Sequence, residues 1–365
     1  MGSAAQGGVD MLQLGDVTRI NGEEIEPVDV ITFGSPCQDL SIAGGRSGLG
    51  GERSGLFFAA TRIIREMREA TDNEYPTFAV WENVPGALSS AKGEDFLAVL
   101  QELAAVAGET VPIHRPAGKW TTAGEIMGND YSIAWRILDA QYWGVPQRRR
   151  RIYLVVDFGG HRAAEILFER DRLPRNFGAG RAEGQAVAAT AGGGAALAGG
   201  ALRPDDGLAY TIRERGGCPG GGKGPLVQEE RTGTLSCRND QYLVTRGFAR
   251  RLTPLECERL QGYPDGWTDI PDYIDGKGRT RQAVDTARYK ALGNSIALPC
   301  AEYVLQGILD QLGRGATLGS LFDGIGGFPL IWETISGPGT ARWASEIEDS
   351  PMAVTAHHFE EEPDE

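Results

Sequence analysis

The sequence has 365 residues, of which 41% are hydrophobic, and its 50 acidic and 36 basic side chains give a formal net charge of -14. This length can bury the core of one large domain or two ordinary ones, and the charge argues against a histone-like protein that binds polyanions through bulk charge. Residues 346–365 hold eight acids and no Lys or Arg, whereas residues 203–251 hold nine basic and six acidic side chains. A polyphosphate partner is therefore expected to bind the middle of the chain.

The sequence also argues against membrane, secretory and zinc-binding proteins. It contains no run of eighteen apolar residues and no charged leader followed by an apolar stretch, and residues 1–10 resemble a flexible leader. The five cysteines form no CxxC pair, and the four histidines do not cluster near them. We expect no membrane span, no disulfide framework and no metal site, as suits the reducing cytoplasm.

The predicted elements alternate between strand and helix along the chain. Residues 28–34 and 77–81 are short apolar runs typical of buried strands, and the apolar spacing between them predicts a helix over residues 55–70. Strand, helix, strand is the pattern of an α/β fold. Further predicted elements are a helix over 97–107, a strand over 152–158, a helix over 299–312, strands over 317–322 and 341–346, and a helix over 350–358.

Composition changes in the middle of the chain. Fifteen of the 47 residues between 178 and 224 are glycine, and such a stretch can bury little surface. We therefore predict a first domain that begins in residues 1–158 and resumes in residues 282–365, with a smaller, loop-rich domain over residues 159–281 between its two parts.

One glycine-rich turn predicts a cofactor site. Residues 322–327, Phe-Asp-Gly-Ile-Gly-Gly, follow a predicted strand, and glycines there allow the backbone to approach a ligand closely at the carboxyl edge of a parallel sheet. An ordinary βα turn has the same pattern. Glu346 ends the next predicted strand, where an acid can hold ribose hydroxyls. The pair predicts an adenosine-containing cofactor, either a dinucleotide or S-adenosylmethionine.

Three segments carry candidate catalytic side chains. Cys37 follows the first predicted strand within residues 34–41, Gly-Ser-Pro-Cys-Gln-Asp-Leu-Ser, where a thiolate can be a nucleophile, although a lone cysteine is more often a small buried hydrophobe. Glu82 ends the next strand and would share its edge with Cys37, or it is a solvated strand end. Residues 148–151 are four arginines at a strand start, where alternation turns two of them, Arg149 and Arg151 or the other pair, to one side. They suit phosphate or carboxylate binding, or form a solvated basic turn.

Together these segments resemble the DNA cytosine-5 methyltransferase family. GSPCQDLS resembles its nucleophile motif, WENV its glutamate motif, QRRRRIYLV its arginine motif and LFDGIGGF its first motif. Residues 250–267 (RRLTPLECERLQGYPDGW) resemble the motif that flanks the target-recognition domain, and residues 289–299 (YKALGNSIALP) the last motif. The resemblance covers nearly the whole chain outside the variable middle. One departure is Asp323, where the family more often has Ala, which puts a charge near the cofactor pocket.

The motif order is also different from that of the family, because the first motif follows the last. Residues 14–18 (LGDVT) resemble the third motif, and Glu346 lies in the second. The resemblance therefore implies a circular permutant that is cut between the second and third motifs, with residues 311–316 joining the old ends.

The implied fold is a Rossmann-like, S-adenosylmethionine-dependent methyltransferase sheet with a second, smaller, loop-rich target-recognition domain. The implied enzyme is a cytoplasmic monomer of a restriction-modification system that methylates carbon 5 of a specific cytosine in duplex DNA. It would flip the base out and attack it with Cys37, while Glu82 hydrogen-bonds the ring and Arg149 and Arg151 orient it.

The resemblance also implies binding residues. The implied cofactor set, in which Asp16 faces the adenine amino group and Glu346 the ribose, is Asp16, Val17, Pro36, Leu56, Asn294, Ser295, Phe322, Gly324, Ile325, Gly326, Glu346 and Ile347. The DNA set, with a loop over residues 38–51 that closes on the duplex, is Gln38, Ser41, Arg213, Arg215, Lys223, Arg231, Thr234 and Arg238.

Other functions remain open on the sequence. A catalytically silent DNA-binding protein or an RNA cytosine-5 methyltransferase would share the fold, whereas a nicotinamide oxidoreductase would explain only the glycine-rich turn. A phosphate-binding P-loop over residues 216–224 fails, because no Ser or Thr follows Lys223.

Overall fold

The structure is a computed structural model that describes residues 11–35, 55–108, 112–168, 210–213, 226–245 and 248–359. Its strands are β1 (Leu12–Gln13), β2 (Val30–Phe33), β3 (Phe78–Asn83), β4 (Ala123–Met127), β5 (Ser132–Asp139), β6 (Arg150–Asp157), β7 (Tyr210–Arg213), β8 (Leu226–Glu229), β9 (Gln241–Thr245), β10 (Phe248–Arg251), β11 (Tyr273–Ile274), β12 (Thr280–Arg281), β13 (Leu318–Leu321) and β14 (Ala341–Ser345). Its α-helices are α1 (Gly55–Ala70), α2 (Glu94–Val106), α3 (Ala163–Phe168), α4 (Pro254–Gln261), α5 (Asp285–Asn294), α6 (Leu298–Leu312), α7 (Gly327–Ser336) and α8 (Asp349–Phe359).

The large sheet has eight strands in the order β1-β14-β13-β2-β3-β6-β5-β4. The first five run parallel to one another, and β6, β5 and β4 add to that side as antiparallel strands. Parallel strands need crossover connections, which helices such as α1 and α7 supply. Because β6 runs against β3, the start of β6 lies beside the carboxyl end of β3. This reversal sets the geometry of the site.

Both faces of the central strands β13, β2 and β3 are buried, as expected for parallel strands with helices on each side, whereas the edge strands β1 and β4 are partly exposed. Val80 and Tyr153 face a hydrophobic cluster that contains residues of α3, α4, α6 and α7. Trp81 and Leu154 face a second cluster that contains residues of α1 and α2. The structure confirms the predicted α/β fold and each predicted helix and strand of the first domain, with ends that differ by a few residues.

The middle of the chain contains a second sheet of four antiparallel strands in the order β10-β9-β7-β8, spanning residues 210–251. A parallel bridge between Gln147 and Thr232 ties it to the residues that precede β6. Residues of the predicted second domain also contribute to the core of the large sheet: Ile166 of α3, Leu260 of α4 and Leu243 of β9 lie in the cluster that contains residues of α6. The predicted domain boundaries stay a prediction. The glycine-rich residues 178–209 and 214–225 lie outside the described residues.

Candidate active site

Glu82 and two arginines meet at the carboxyl edge of the large sheet. Glu82 is the fifth residue of β3 and pairs across the strands with Tyr153 of β6. Arg151, two residues earlier on β6, projects from the same face, and its Nε lies 3.0 Å from Glu82 Oε1. Both side chains are largely buried, with 15% of Arg151 and 12% of Glu82 exposed. The structure therefore brings together the predicted acid and one of the two predicted arginines.

Burial controls the charge of Glu82. Loss of hydration raises the pKa of its carboxyl, and the positive charges of Arg151 and Arg149 lower it in part. A carboxyl with a raised pKa keeps its proton to higher pH than a solvated one, and the protonated form can donate a hydrogen bond to a basic ring nitrogen. Its Oε1 atom is buried without a well-angled hydrogen bond.

Arg149 lies deeper than Arg151 and holds two distant segments together. It is 1% exposed, and its guanidinium donates to the carbonyl oxygens of Gly293 and Ser295 at the end of α5. Burial, followed by the repulsion of Arg151, lowers its pKa to about 9. Arg149 and Arg151 thus face one side, as alternation predicts. Arg149 contacts backbone there and leaves Arg151 as the arginine beside Glu82.

The segment that leads to Cys37 is anchored against the strand of Glu82. Ser35 is buried, its hydroxyl accepts from Trp81 Nε1 at 3.2 Å, and its carbonyl accepts from Asn83 Nδ2 at 3.0 Å. A Cβ at Gly34 would lie 3.6 Å from Glu82 Oε2. Cys37 itself lies outside the described residues.

The glycine-rich turn follows β13 at the same edge. Phe322 and Gly324 have positive φ angles of 58° and 66°, a conformation that costs Phe322 free energy and suits glycine. The amide of Gly324 donates to Glu346 Oε2 at 2.9 Å. Asp323 is buried under the turn, where its Oδ1 accepts from Ser320 Oγ at 2.7 Å and its Oδ2 has no hydrogen-bond partner. Burial raises the pKa of Asp323 to about 7.

The loops that follow β14 and β1 lie beside this turn. Glu346 Oε1 accepts from the amides of Ile347 and Glu348 at 2.7 and 2.9 Å, so its carboxylate is held by three backbone donors. The hydroxyl of Ser345 donates to the carbonyl of Gly15 at 2.7 Å. These bonds bring the loop of Asp16 and the loop of Glu346 together, as expected of a cofactor site built from successive strand ends.

These features suit S-adenosylmethionine. The close backbone approach at Gly324, the fixed carboxylate of Glu346 and the exposed side chain of Ile347, 69% accessible, match a nucleoside with ribose hydroxyls and an apolar base face. Asp323 and Glu346 make this part of the edge negative, which fits a cationic ligand.

The comparisons with known proteins decide the family. Residues 9–107, 121–165 and 202–310, more than half of the chain, match the family of C-5 cytosine-specific DNA methylases. This chain belongs to that family. It is therefore a DNA cytosine methyltransferase whose methyl donor is S-adenosylmethionine. The match ends before the turn at residues 322–327.

Three curated relatives show how far the similarity extends. The chain is 31% identical to a DNA N-6-adenine-methyltransferase of Escherichia phage P1, over 80% of this chain and 54% of that protein. It is 28% identical to the Type II methyltransferase M.HpaII of Haemophilus parainfluenzae, over 83% and 78% of the two chains. It is 25% identical to the Type II methyltransferase M.HhaI of Haemophilus parahaemolyticus, over 82% of this chain and 81% of that protein. The chain thus spans about half the length of the phage relative.

Within this methylase, Ser295 connects the two halves of the site, while Oδ1 of the adjacent Asn294 accepts from Cys237 Sγ at 2.9 Å. Ser295 shares a short hydrogen bond with the hydroxyl of Tyr263, and its carbonyl accepts from Arg149. A side chain at Gly327, the first residue of α7, would clash with the same Tyr263 hydroxyl. Tyr263 therefore sits between the glycine-rich turn and the arginines. No local pattern distinguishes Tyr263 as a site residue, although it lies inside residues 250–267, which resemble a motif of the family.

Other predicted cofactor residues differ in exposure. Leu56 and Phe322 are partly buried against one hydrophobic cluster, which places them on a common side. Val17 and Ile325 are buried in the core, and the Ile325 carbonyl accepts from Trp267 Nε1 at 2.8 Å. Pro36 lies outside the described residues. The cofactor roles of these residues stay predictions.

The predicted DNA-binding residues fall into two groups. Arg213 pairs with Asp240 at 3.0 Å, Arg231 donates to Gln141 at 2.7 Å, and the Thr234 hydroxyl donates to the carbonyl of Arg148. Arg238 is exposed. The other four predicted residues lie outside the described part of the chain: Gln38, Ser41, Arg215 and Lys223.

Two further observations concern the described residues alone. They contain no group of three or more His, Cys, Asp or Glu side chains that could hold a metal ion. Among their helices, none combines the length and the apolar character that crossing a membrane requires.

Proposed function

We propose that this chain methylates carbon 5 of a specific cytosine in duplex DNA through a covalent adduct with Cys37. The observation that carries the proposal is the buried pair of Glu82 and Arg151 beside the anchored Ser35, two residues before the cysteine. The comparisons support the reaction, since both the family and two of its Type II members are methyltransferases.

The chemistry explains why these side chains are needed. Carbon 5 of cytosine is a weak nucleophile, and a stacked base hides it, so the enzyme first extrudes the base at a cost of a few kcal/mol. The Cys37 thiolate then forms a bond to carbon 6, which pushes the ring electrons toward carbon 5. Glu82 donates a hydrogen bond to ring N3 and stabilises the electron-rich ring. Arg151 binds the base carbonyl.

The bound cofactor would supply an electrophilic methyl group, keeping the electron pair of the broken carbon–sulfur bond as a neutral thioether, and the protein would position it and complete the turnover. Glu346 would hold the ribose and Asp16 the adenine edge. Once carbon 5 carries the methyl group, a base removes the proton from that carbon. The ring double bond re-forms as the carbon–sulfur bond breaks, and Cys37 leaves as a thiolate.

The proposal includes the circular permutation. β13 and β14, which come last in the chain, lie between β1 and β2 in the sheet. The family match begins at residue 9 and ends at residue 310, so it leaves out the turn that resembles the first motif. Both observations support a family fold whose first two motifs have moved to the end. We also propose that the enzyme is a cytoplasmic monomer and that it belongs to a restriction-modification system.

Bisulfite sequencing of plasmid DNA from a strain making the protein tests the base and reads its sequence context. We expect protected cytosines in one short sequence, and digestion followed by mass spectrometry should find 5-methylcytosine. Methylation of adenine N6, the activity named for the phage relative, would contradict the proposal, as would preference for transfer RNA over the duplex.

A duplex with 5-fluorocytosine at that sequence tests the mechanism. Fluorine cannot leave as a proton does, so the adduct should persist in the presence of cofactor and survive denaturation. Cys37→Ser should abolish it. Cys257→Ala, which changes a buried cysteine of α4, should keep it. A wild-type protein that binds the duplex but forms no adduct would be a silent DNA-binding homologue.

A further inference from the structure

Nearly every arginine that the structure describes has a partner for its guanidinium group. Arg250 pairs with Glu256 at 2.6 Å, Arg162 with Asp157 at 2.7 Å, and others donate to backbone carbonyls. Four arginines in the described ranges have no side-chain hydrogen bond, ion pair or ring contact there: Arg148, Arg150, Arg238 and Arg314. All four are exposed.

Three of these four lie around the active site. Arg148 and Arg150 flank Arg149 where β6 begins, beside the carboxyl end of β3 that carries Glu82. Alternation turns Arg149 and Arg151 inward, so Arg148 and Arg150 point outward at the same edge. Arg314 lies before β13 and therefore at the opposite edge of the sheet.

Arg238 is linked to the same place through the small sheet. The Arg148 amide donates to the Thr232 carbonyl, and the Thr234 hydroxyl donates to the Arg148 carbonyl, each at 2.8 Å. Arg238 follows Thr234 by four residues, which limits their separation to about 14 Å. Its neighbour Cys237 donates to Asn294 Oδ1 at 2.9 Å, so this segment runs toward the site.

The net charge of -14 makes these unpaired cations significant. A duplex is repelled by the protein as a whole, so its binding depends on local positive charge. A guanidinium without an internal acid is free to bind a phosphate with two parallel hydrogen bonds. Acids are abundant in this chain and pair with most of the described arginines, yet among the described residues no acid forms an ion pair with these three.

We propose that Arg148, Arg150 and Arg238 bind the DNA phosphates next to the extruded cytosine. The inference rests on the proposed function and adds a phosphate-binding role for the two outward arginines of the arginine motif. Arg148 and Arg150 would hold the backbone on one side of Arg151, while Arg238 holds it from the small sheet.

The test is the salt dependence of binding to a labelled duplex that contains the methylated sequence. Each lost phosphate contact should reduce the slope of log K against log salt by about 0.9. We expect this reduction in each of the single variants Arg148→Ala, Arg150→Ala and Arg238→Ala. In the triple variant the slope should be smaller by about 2.7. Arg148→Lys should restore most of the slope, because a point charge suffices for a phosphate. Arg314→Ala should match the wild type.

The outcomes separate this proposal from the proposed function. If the folded triple variant keeps the wild-type slope, or Arg314→Ala changes it equally, the phosphate assignment is wrong even though the wild type forms the 5-fluorocytosine adduct. If the wild type forms no adduct, the reaction fails, and the slopes still report whether these arginines bind the duplex. Unchanged circular dichroism and melting temperature would show that each variant is folded.

Discussion

Two buried carboxyl groups at one sheet edge have different surroundings. Glu82, on the side where we propose that the cytosine binds (the cytosine side), faces Arg151 at 3.0 Å with Arg149 behind it. Asp323, on the side where we propose that the cofactor binds (the cofactor side), accepts from the Ser320 hydroxyl at 2.7 Å and is stabilised by neutral donors of Gly326 and Thr355, while the charge of Glu346 opposes its ionisation. Burial raises the pKa of both acids. On the cytosine side, the negative charge of the acid is therefore balanced by two arginines, which suits proton exchange. On the cofactor side, acidic groups outnumber basic ones among these residues, which suits a cationic ligand.

Glu82→Gln gives the largest expected effect, because it removes the buried acid that is paired with Arg151. An amide cannot donate a proton, so we expect kcat for methyl transfer to fall by about 100-fold to 10,000-fold. The wild-type rate should also fall as pH rises through the raised pKa of Glu82. The pH–rate profile of the variant should not show this fall. Methyl transfer to the duplex at several pH values measures both effects.

Glu102→Gln is the matched control for this change. Glu102 pairs with Arg65 at 2.7 Å on the outer helices, where a half-exposed ion pair contributes at most about 1 kcal/mol to stability. Its kcat and pH profile should equal those of the wild type. A Glu82→Gln enzyme that keeps its activity would show that the buried acid is structural. The proposed difference between Glu82, which exchanges a proton, and Asp323 would then be wrong.

Asp323→Asn tests the other side through stability. A folded pKa of about 7 against an ordinary 3.8 means that folding favours the protonated acid. The stability that this group contributes is complete below about pH 4 and is lost as pH rises to about 7. Asparagine stays neutral, so the variant should be more stable than the wild type at pH 8, by roughly 2–4 kcal/mol, and nearly equal to it at pH 3.5. Denaturant unfolding at the two pH values measures this.

Asp130→Asn, in the exposed turn between β4 and β5, is the control and should shift stability little at either pH. Equal stability of Asp323→Asn and the wild type at pH 8 would mean that a partner neutralises Asp323. The cofactor side would then carry less negative charge than its described residues indicate.

The same contrast shows what the sequence could predict. Strand ends were readable, because the short apolar runs stop at Gly34 and just before Glu82, and alternation placed Arg149 and Arg151 on one side. The direction of β6 was not readable, since an apolar run looks alike in parallel and antiparallel strands. The bonds from Arg149 to Gly293 and Ser295 join residues about 145 positions apart, and local patterns carry no such information.

The middle of the chain was predicted least well, for two physical reasons. Its strands are four or five residues long and lie among glycine-rich segments, so periodicity has too few residues to show. Helix α4 did have a signal: Thr253 and Glu256 form a capping box, in which each side chain accepts from the other's amide. That Thr-Pro-Leu-Glu sequence could have placed the helix.

Glu346→Gln is the smallest expected effect and sharpens the account of the cofactor side. Three amides fix the carboxylate, so an amide side chain must either turn or place its NH2 group against a backbone donor. Loss of hydrogen bonds to a charged group predicts about 10-fold to 100-fold weaker binding of S-adenosylmethionine. Calorimetry without DNA measures this affinity.

Glu348→Gln is the control, because it changes an exposed acid paired with Lys290 at 2.7 Å. It should leave the affinity for S-adenosylmethionine within about twofold, since surface ion pairs contribute little. Equal losses in the two variants would mean that total negative charge attracts the cofactor, and the fixed position of Glu346 would then have no special role.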